Sequence, residues 1–277
     1  MRIAILIAVA VGLAAHARAS ELPAQASGAA SAAPADQAPR APLDDPSVEP
    51  WHPLFDAAGA LSSLTPLQQT RLQALVRRRI TANADVRAAR SLLLSAVADA
   101  MDSGNVSQAA VAPAEQQLAS AMETAESANR RLLEDLHTLL TPAQRSDLVS
   151  RARPRIGGQQ DRRRGDGTAA YYAGWVSKQL DLTTAQEVQI EETLRTLEEG
   201  SGRATIDEER EEGERVLDAF EGGSFVMRQV VPARSAAAIR PRIARVVAMA
   251  RAVAPVLTTE QRALAVSKLR TWAARSD

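Results

Sequence analysis

The stretch LLTPAQ occupies residues 139–144, and its last five residues form a pattern, Leu-Thr-x-x-Gln, that recurs along the chain. LTPLQ stands at residues 64–68, LTTAQ at 182–186 and LTTEQ at 257–261. From this composition, chance gives on the order of 0.1 such occurrences in the whole chain. Four copies therefore need a structural reason.

Each copy predicts a helix start. Thr141 is expected to be the N-cap, with its hydroxyl accepting from the N–H of Gln144 and the Gln144 side chain returning to the Thr141 N–H. Pro142 suits the first helical position, where its missing N–H costs nothing. The residue five positions after each leucine is polar, so the leucine is expected to pack on a neighbouring helix and not locally. The motif residues are Leu64, Thr65, Gln68, Leu140, Thr141, Gln144, Leu182, Thr183, Gln186, Leu257, Thr258 and Gln261.

The motifs come in two evenly spaced pairs. The leucines of the first pair are 140 − 64 = 76 residues apart, and those of the second pair 257 − 182 = 75. Each pair encloses a polar long helix, a glycine-containing turn (102–108, then 220–229), a proline and a second long helix. This order predicts two copies of one helical unit of roughly 100 residues.

Finer helix boundaries also follow from the pattern. Apolar spacing predicts a long helix over residues 66–101. Pro113 is expected to open the second long helix as its first residue. The helix opened by Pro142 is expected to end before Pro154. GSG at residues 200–202 predicts a break or kink in the first long helix of the second copy.

The N-terminus is typical of an export signal. Arg2 precedes an apolar run at residues 3–15, which is too short to span a bilayer, and ARA at 17–19 offers a cleavage site. Cleavage after Ala17 and an uncleaved anchor are the alternatives. Loss of Arg2 and Arg18 leaves 31 − 33 = −2 as the formal charge. The sequence thus predicts a periplasmic protein, with no field that selects nucleic acid or an anionic membrane and no membrane span after cleavage.

The predicted organisation has five parts. They are a signal peptide at 1–19, a disordered Ala/Pro-rich leader at 20–50, a first unit at 51–153, a Gly/Arg-rich linker at 154–167 and a second unit at 168–277. Aromatic residues make up only 3% of the chain, which favours helices over a β-sandwich. The predicted fold class is all-α, with long antiparallel helices forming two tandem hairpin units.

The sequence offers no catalytic or ligand-binding constellation. The absence of cysteine excludes disulfides, thiol catalysis and Cys metal sites. Only His52 and His137 remain after signal cleavage, and neither stands at metal-ligand spacing. The acidic run at residues 206–223 is interpreted as a solvated helix face with pairs such as Glu211–Arg215. We therefore predict no enzyme, no cofactor and no metal.

An exported, cysteine-free helical unit with two such motifs about 75 residues apart resembles the Spy/CpxP family of periplasmic LTxxQ-motif proteins, to which zinc-resistance-associated proteins are related. The resemblance covers residues 61–153 and 180–270. It implies a small cradle of long antiparallel helices that dimerises. Within the family, Spy is an ATP-independent chaperone for unfolded clients, and CpxP is similar in fold and restrains an envelope-stress sensor kinase.

This chain departs from the family in carrying both copies. We expect the two units to pack as an intramolecular pseudo-dimer, with a homodimer as the alternative. The expected partners are unfolded or partly folded envelope proteins, or else a sensor kinase domain or a metal-responsive regulatory role. The candidate client-binding residues are Phe220, Phe225 and Met227 at the glycine-rich turn, and Arg77 and Arg78 on the first long helix.

Overall fold

The computed structural model describes residues 52–165, 168–199 and 204–275, and the regular structure in these ranges is entirely helical. The protein is therefore all-α, with long helices, as the sequence predicts. The predicted signal peptide at 1–19, the leader at 20–50 and the glycines at 200–202 lie outside the described residues.

The helices of the first half begin just after the predicted leader. They are α1 (His52–Gly59), α2 (Pro66–Ala82), α3 (Ala84–Asp102), α4 (Gln108–Leu139) and α5 (Pro142–Gly165). The second half has the same order of elements, with an additional short helix in the turn region and a single 3-10 turn at Ala254–Val256. Its helices are α6 (Thr168–Leu180), α7 (Thr184–Glu199), α8 (Ala204–Glu221), α9 (Met227–Val230), α10 (Ala236–Val253) and α11 (Thr259–Arg275).

The first long helix is interrupted at Asn83, which separates α2 from α3. The Asn83 side chain is fully buried and donates to the carbonyl of Arg79 at 2.9 Å. It also exchanges two amide hydrogen bonds, each of 3.1 Å, with Asn129 of α4. The expectation of one continuous helix over 66–101 is therefore wrong, because a buried amide pair holds the backbone out of helical geometry at this point.

Two predicted helix boundaries near prolines are also wrong. Helix α4 begins at Gln108 and not at Pro113, because the Ser107 hydroxyl accepts from the N–H of Ala110 at 3.3 Å and supplies an earlier cap. Helix α5 continues past Pro154 to Gly165, through most of the predicted linker. Pro154 is exposed, where the ring removes one hydrogen bond without opening a gap in the core. The domain limits themselves stay predictions.

Two hydrophobic cores hold the helices together, and each draws on both halves of the chain. The first core joins α1, α2, α5 and the C-terminal part of α4 to side chains of α8 and α9, such as Leu217 and Met227. The second core joins α6, α7, α10 and α11 to α3 and the N-terminal part of α4, including Leu93 and Val111. Helices α3 and α8, which occupy equivalent places in the two halves, thus each pack into the core of the other half.

Ion pairs follow the same exchange. Arg153 of α5 pairs with Glu214 and Asp218 of α8, the latter at 2.8 Å. Arg270 of α11 pairs with Asp99 at 2.9 Å and Asp102 at 3.0 Å, at the end of α3. Both arginines stand nine residues after the glutamine of a motif. Two acidic residues of the run at 206–223 are therefore paired with an arginine of the first half. The interpretation of this run as a solvated helix face did not predict those pairs.

Candidate functional site

The repeated motif has the geometry of a reciprocal capping box in all four copies. Each glutamine N–H lies 3.2–3.3 Å from the threonine hydroxyl oxygen that accepts from it. Each threonine N–H in turn donates to the glutamine Oε1 at 3.0 Å. Every motif therefore satisfies two backbone donors that a helix start leaves without an intrahelical partner.

The glutamines also pair across each half of the chain. The Gln68 amide donates to Gln144 Oε1 at 2.9 Å, and the Gln144 amide donates back to Gln68 Oε1 at 3.1 Å. Each amide makes a second donation to a backbone carbonyl beside the partner motif, from Gln68 to Leu139 at 2.9 Å and from Gln144 to Ser63 at 2.8 Å. We call this four-bond arrangement the first glutamine clasp.

A second glutamine clasp repeats this geometry in the other half. Gln186 and Gln261 exchange amide hydrogen bonds of 2.7 and 3.0 Å. Their remaining donations go to the carbonyls of Val256 at 2.9 Å and Asp181 at 3.2 Å. These carbonyls stand two residues before the threonine of the partner motif, as do those of Leu139 and Ser63. The two motifs of each unit are thus hydrogen-bonded to each other, and each makes the same two kinds of bond to its partner.

The motif leucines lie under the clasps. Leu64 and Leu140 are buried in the first core, Leu257 is buried in the second, and Leu182 is partly buried against the second. A motif therefore combines a cap, a cross-link and a core contact in five residues. Capping follows from local spacing, whereas the glutamine pairing and its carbonyl partners were not predicted. The equal spacing of 75–76 residues within each pair was the available signal that the two motifs of a unit meet.

The glycine-rich turn differs from its expected form. Phe220, Phe225 and Met227 are all buried in the first core, where Phe220 and Phe225 pack edge to face with centroids 5.2 Å apart. These three candidate client-binding side chains are therefore not at the surface of the folded protein, and their role in client binding stays a prediction. The turn lies against α4 of the first half, and sequence pattern alone could not indicate that contact.

Helix α2 carries the other candidate residues on its outer side. Arg77 and Arg78 are exposed, and Arg78 forms an ion pair of 2.8 Å with Asp135 of α4. Two large apolar side chains of the same helix also face solvent, Leu67 with 60% and Ile80 with 50% of its surface exposed. Helix α2 contains four arginines and no acidic residue. Its outer side therefore mixes apolar contact area with the positive charge of Arg71 and Arg77, next to the Arg78–Asp135 ion pair.

The described ranges contain neither a metal-binding cluster nor a membrane-spanning helix. Among the described residues, no group of three or more His, Asp or Glu side chains stands close enough to hold a metal ion. Every helix within those ranges is too short or too polar to cross a lipid bilayer.

Comparison of the chain with family models, with curated proteins and with solved structures finds no match.

Proposed function

We propose that this protein is a periplasmic, ATP-independent chaperone-like protein that holds unfolded or partly folded envelope proteins. The proposal rests on the outer side of α2, where Leu67 and Ile80 are exposed together with Arg71, Arg77 and Arg78. Exposed apolar side chains bind the hydrophobic segments that unfolded chains present. Positive charge accelerates the encounter with acidic segments without fixing a sequence.

The exposed residues extend over one wide side of α2. Leu67, Arg71 and Arg78 follow one another at i, i+4 and i+11, so they lie along one stripe of α2, whereas Arg77 is turned roughly 80° and Ile80 roughly 140° away from Leu67 around the helix axis. The opposite side of the helix is anchored by Leu72 and Leu75, which are buried. Helix α2 therefore supplies a rigid surface to a client of variable sequence.

The proposal includes the Spy/CpxP resemblance and an intramolecular pseudo-dimer. The support is the repetition of contacts in the two halves: the two glutamine clasps, the exchange of α3 and α8 between cores, and the pairs made by Arg153 and Arg270. In this interpretation one chain supplies the two units that single-unit relatives bring together by dimerising. Export into the periplasm is proposed from the N-terminal sequence pattern.

Client holding is tested by aggregation suppression. The purified protein, without ATP and at near-stoichiometric ratio, should suppress light scattering by a chemically denatured model client. The L67S/I80S variant should weaken client binding by about tenfold, since removing two partly exposed large apolar contacts costs on the order of 1–2 kcal/mol. Val188→Ser is the matched control, because Val188 is 61% exposed on α7 and lies outside the proposed surface.

Two results would count against this function. One is a wild-type protein that leaves client aggregation unchanged at equimolar ratio. The other is equal loss of suppression in V188S and L67S/I80S, which would mean that general surface hydrophobicity and not α2 is responsible. Binding to a single folded sensor domain, without suppression of aggregation, would favour the regulatory alternative.

A further inference from the structure

His137 lies near the C-terminal end of α4, with 6% of its surface exposed. Its ring stacks on Phe225, with centroids 5.5 Å apart, and meets Phe220 edge to face at 5.4 Å. The histidine belongs to the first half of the chain and both phenylalanines to the second. We call these three residues the aromatic cluster. It joins α4 to the end of α8 and to the turn at residues 222–226.

Two side chains of α4 hold the backbone of this turn. The His137 Nε2 lies 3.0 Å from the carbonyl oxygen of Gly222, so the Nε2–H donates and the neutral ring carries no proton on Nδ1. Glu134, three residues earlier on the same helix face, accepts from the Met227 N–H at 2.8 Å. Together these bonds keep Phe225 and Met227 pressed into the first core.

The equivalent turn of the first half is held differently. Counting back from Thr258, Arg251 takes the place of Glu134 and Ala254 the place of His137. Arg251 donates from Nε to the Val106 carbonyl at 2.7 Å and from its terminal nitrogen to Gln108 Oε1 at 3.2 Å. An arginine and an alanine do not change charge near neutral pH. Of the two turns, only the one at 222–226 is therefore held by a histidine.

Protonation of His137 places a positive charge inside the buried aromatic cluster. An imidazolium has an N–H at Nδ1 as well as at Nε2, and a buried charge without compensation is expensive. The stacked Phe225 ring offsets part of this cost through its π face. Among charged groups on the packed elements, Arg145 of α5 repels the cation. The nearby carboxylates form their bonds elsewhere and not with the ring: Asp135 with Arg78, Glu134 with the Met227 N–H, and Glu221 with Ser146. Arg228 of α9 is exposed and adds further positive charge.

We propose that the turn at 222–226 is a proton-operated latch, whose release by protonation of His137 uncovers Phe220, Phe225 and Met227 as a second apolar surface for unfolded client segments. The client part of this proposal rests on the proposed holding function. The opening itself does not, since it concerns contacts within the chain alone.

The direction of the pH dependence follows from linkage. Burial lowers the pKa of His137, the Gly222 hydrogen bond raises it, and the positive charge of Arg145 lowers it. The resulting pKa of His137 lies below its ordinary value of 6.5. When the latch is open, the His137 ring lies in water, where it is protonated at a higher pH than in the closed state. Latch closure is therefore fully stable above pH 6.5 and is lost as the pH falls through the lower pKa of the closed state.

Hydrogen exchange of the full chain, measured by mass spectrometry at pH 7.5 and 5.5, tests the latch. After correction for intrinsic exchange, peptides covering residues 220–231 should lose protection at pH 5.5, by up to about tenfold per pH unit, the limit for uptake of one proton. Peptides covering 102–111, the equivalent turn, should keep theirs. Equal behaviour of the two turns would overturn the proposal.

The variants H137F and H137Q isolate the titrating group. H137F keeps a ring in the cluster and H137Q keeps a donor for Gly222, and neither ring nor amide titrates near neutral pH, so both should abolish the pH-dependent difference. Retention of that difference in both variants would refute the latch. His52→Gln is the matched control and should behave as wild type. Aggregation suppression at pH 7.5 tests the holding function separately, with the latch closed.

Discussion

The glutamine of each motif performs two structural tasks with one side-chain amide. Its oxygen completes the cap of its own helix, and its nitrogen binds the partner motif and a carbonyl beside that motif. Each neutral hydrogen bond adds only about 1 kcal/mol, but losing a partner inside a partly buried network costs more, because the remaining groups stay desolvated. The motif is thus more than a helix start.

The first prediction compares Gln144 with Thr141. Gln144→Ala should lower the free energy of unfolding by about 2–4 kcal/mol, since it leaves Ser63, Gln68 and the Thr141 N–H without their partner. Thr141→Ala removes one cap acceptor and should cost about 1 kcal/mol. Urea denaturation followed by circular dichroism measures both values.

The matched control for the clasp is Gln69→Ala. Gln69 is exposed and adjacent to the clasp, so its loss should change stability by less than about 0.5 kcal/mol. In a double-mutant cycle, Q68A and Q144A should be clearly non-additive, because both break the same bonds. Additive effects, or a Gln144→Ala cost no larger than that of Thr141→Ala, would show that the glutamines act only as caps.

The roles of single residues could be predicted from the sequence only where those roles depend on neighbouring residues in the chain. A capping box depends on residues within three positions of each other, so the threonine and glutamine roles could be predicted. The clasp depends on two segments 76 residues apart in the chain and needs the tertiary fold. The same limit explains Phe225 and Met227, whose glycine-flanked turn suggests exposure although α4 covers it.

At the scale of helices, a buried asparagine pair fixes the break in the first long helix. Asn83 and Asn129 satisfy each other through two bonds inside the packed region, and Asn83 also caps the carbonyl of Arg79. Two buried amides that hydrogen-bond to each other cost little free energy, whereas a single buried amide loses its hydrogen bonds to water and gains none in return. The pair therefore sets the register of α2 and α3 against α4.

The second prediction tests this register. Asn83→Ala leaves the Asn129 amide buried without its partner and should cost about 1–3 kcal/mol of unfolding free energy. Asn105→Ala, at an exposed asparagine of the turn after α3, should be neutral within about 0.5 kcal/mol. Thermal and urea denaturation report both. If the two variants were equally stable, the amide pair would have no role in positioning the helices.

Helix content was predictable from apolar spacing, whereas helix ends were less so. The break at Asn83, the early start at Gln108 and the passage through Pro154 depend on the amide pair, on a serine cap and on packing against α8. The first and third of these causes lie in contacts between distant segments. The serine cap is local, but Pro113 offered a competing start signal in the sequence.

At the scale of the whole molecule, the two halves are interlocked. Helix α3 packs in the second core and α8 in the first, so neither core is complete with one half of the chain. A duplicated helical unit of roughly 100 residues was predicted from the number and spacing of the motifs. The exchange could not be predicted, because the sequence pattern of an exchanged helix is the same as that of a helix packed within its own half.

Sedimentation equilibrium tests the central claim, that one chain supplies both units of an intramolecular pseudo-dimer. Because each core already contains helices of both halves, the folded protein should sediment with the mass of a single chain, 29.5 kDa for the full 277 residues, over the micromolar range. A folded species with the mass of two chains, constant over that range, would contradict the claim, since the exchanged helices would then be shared between molecules.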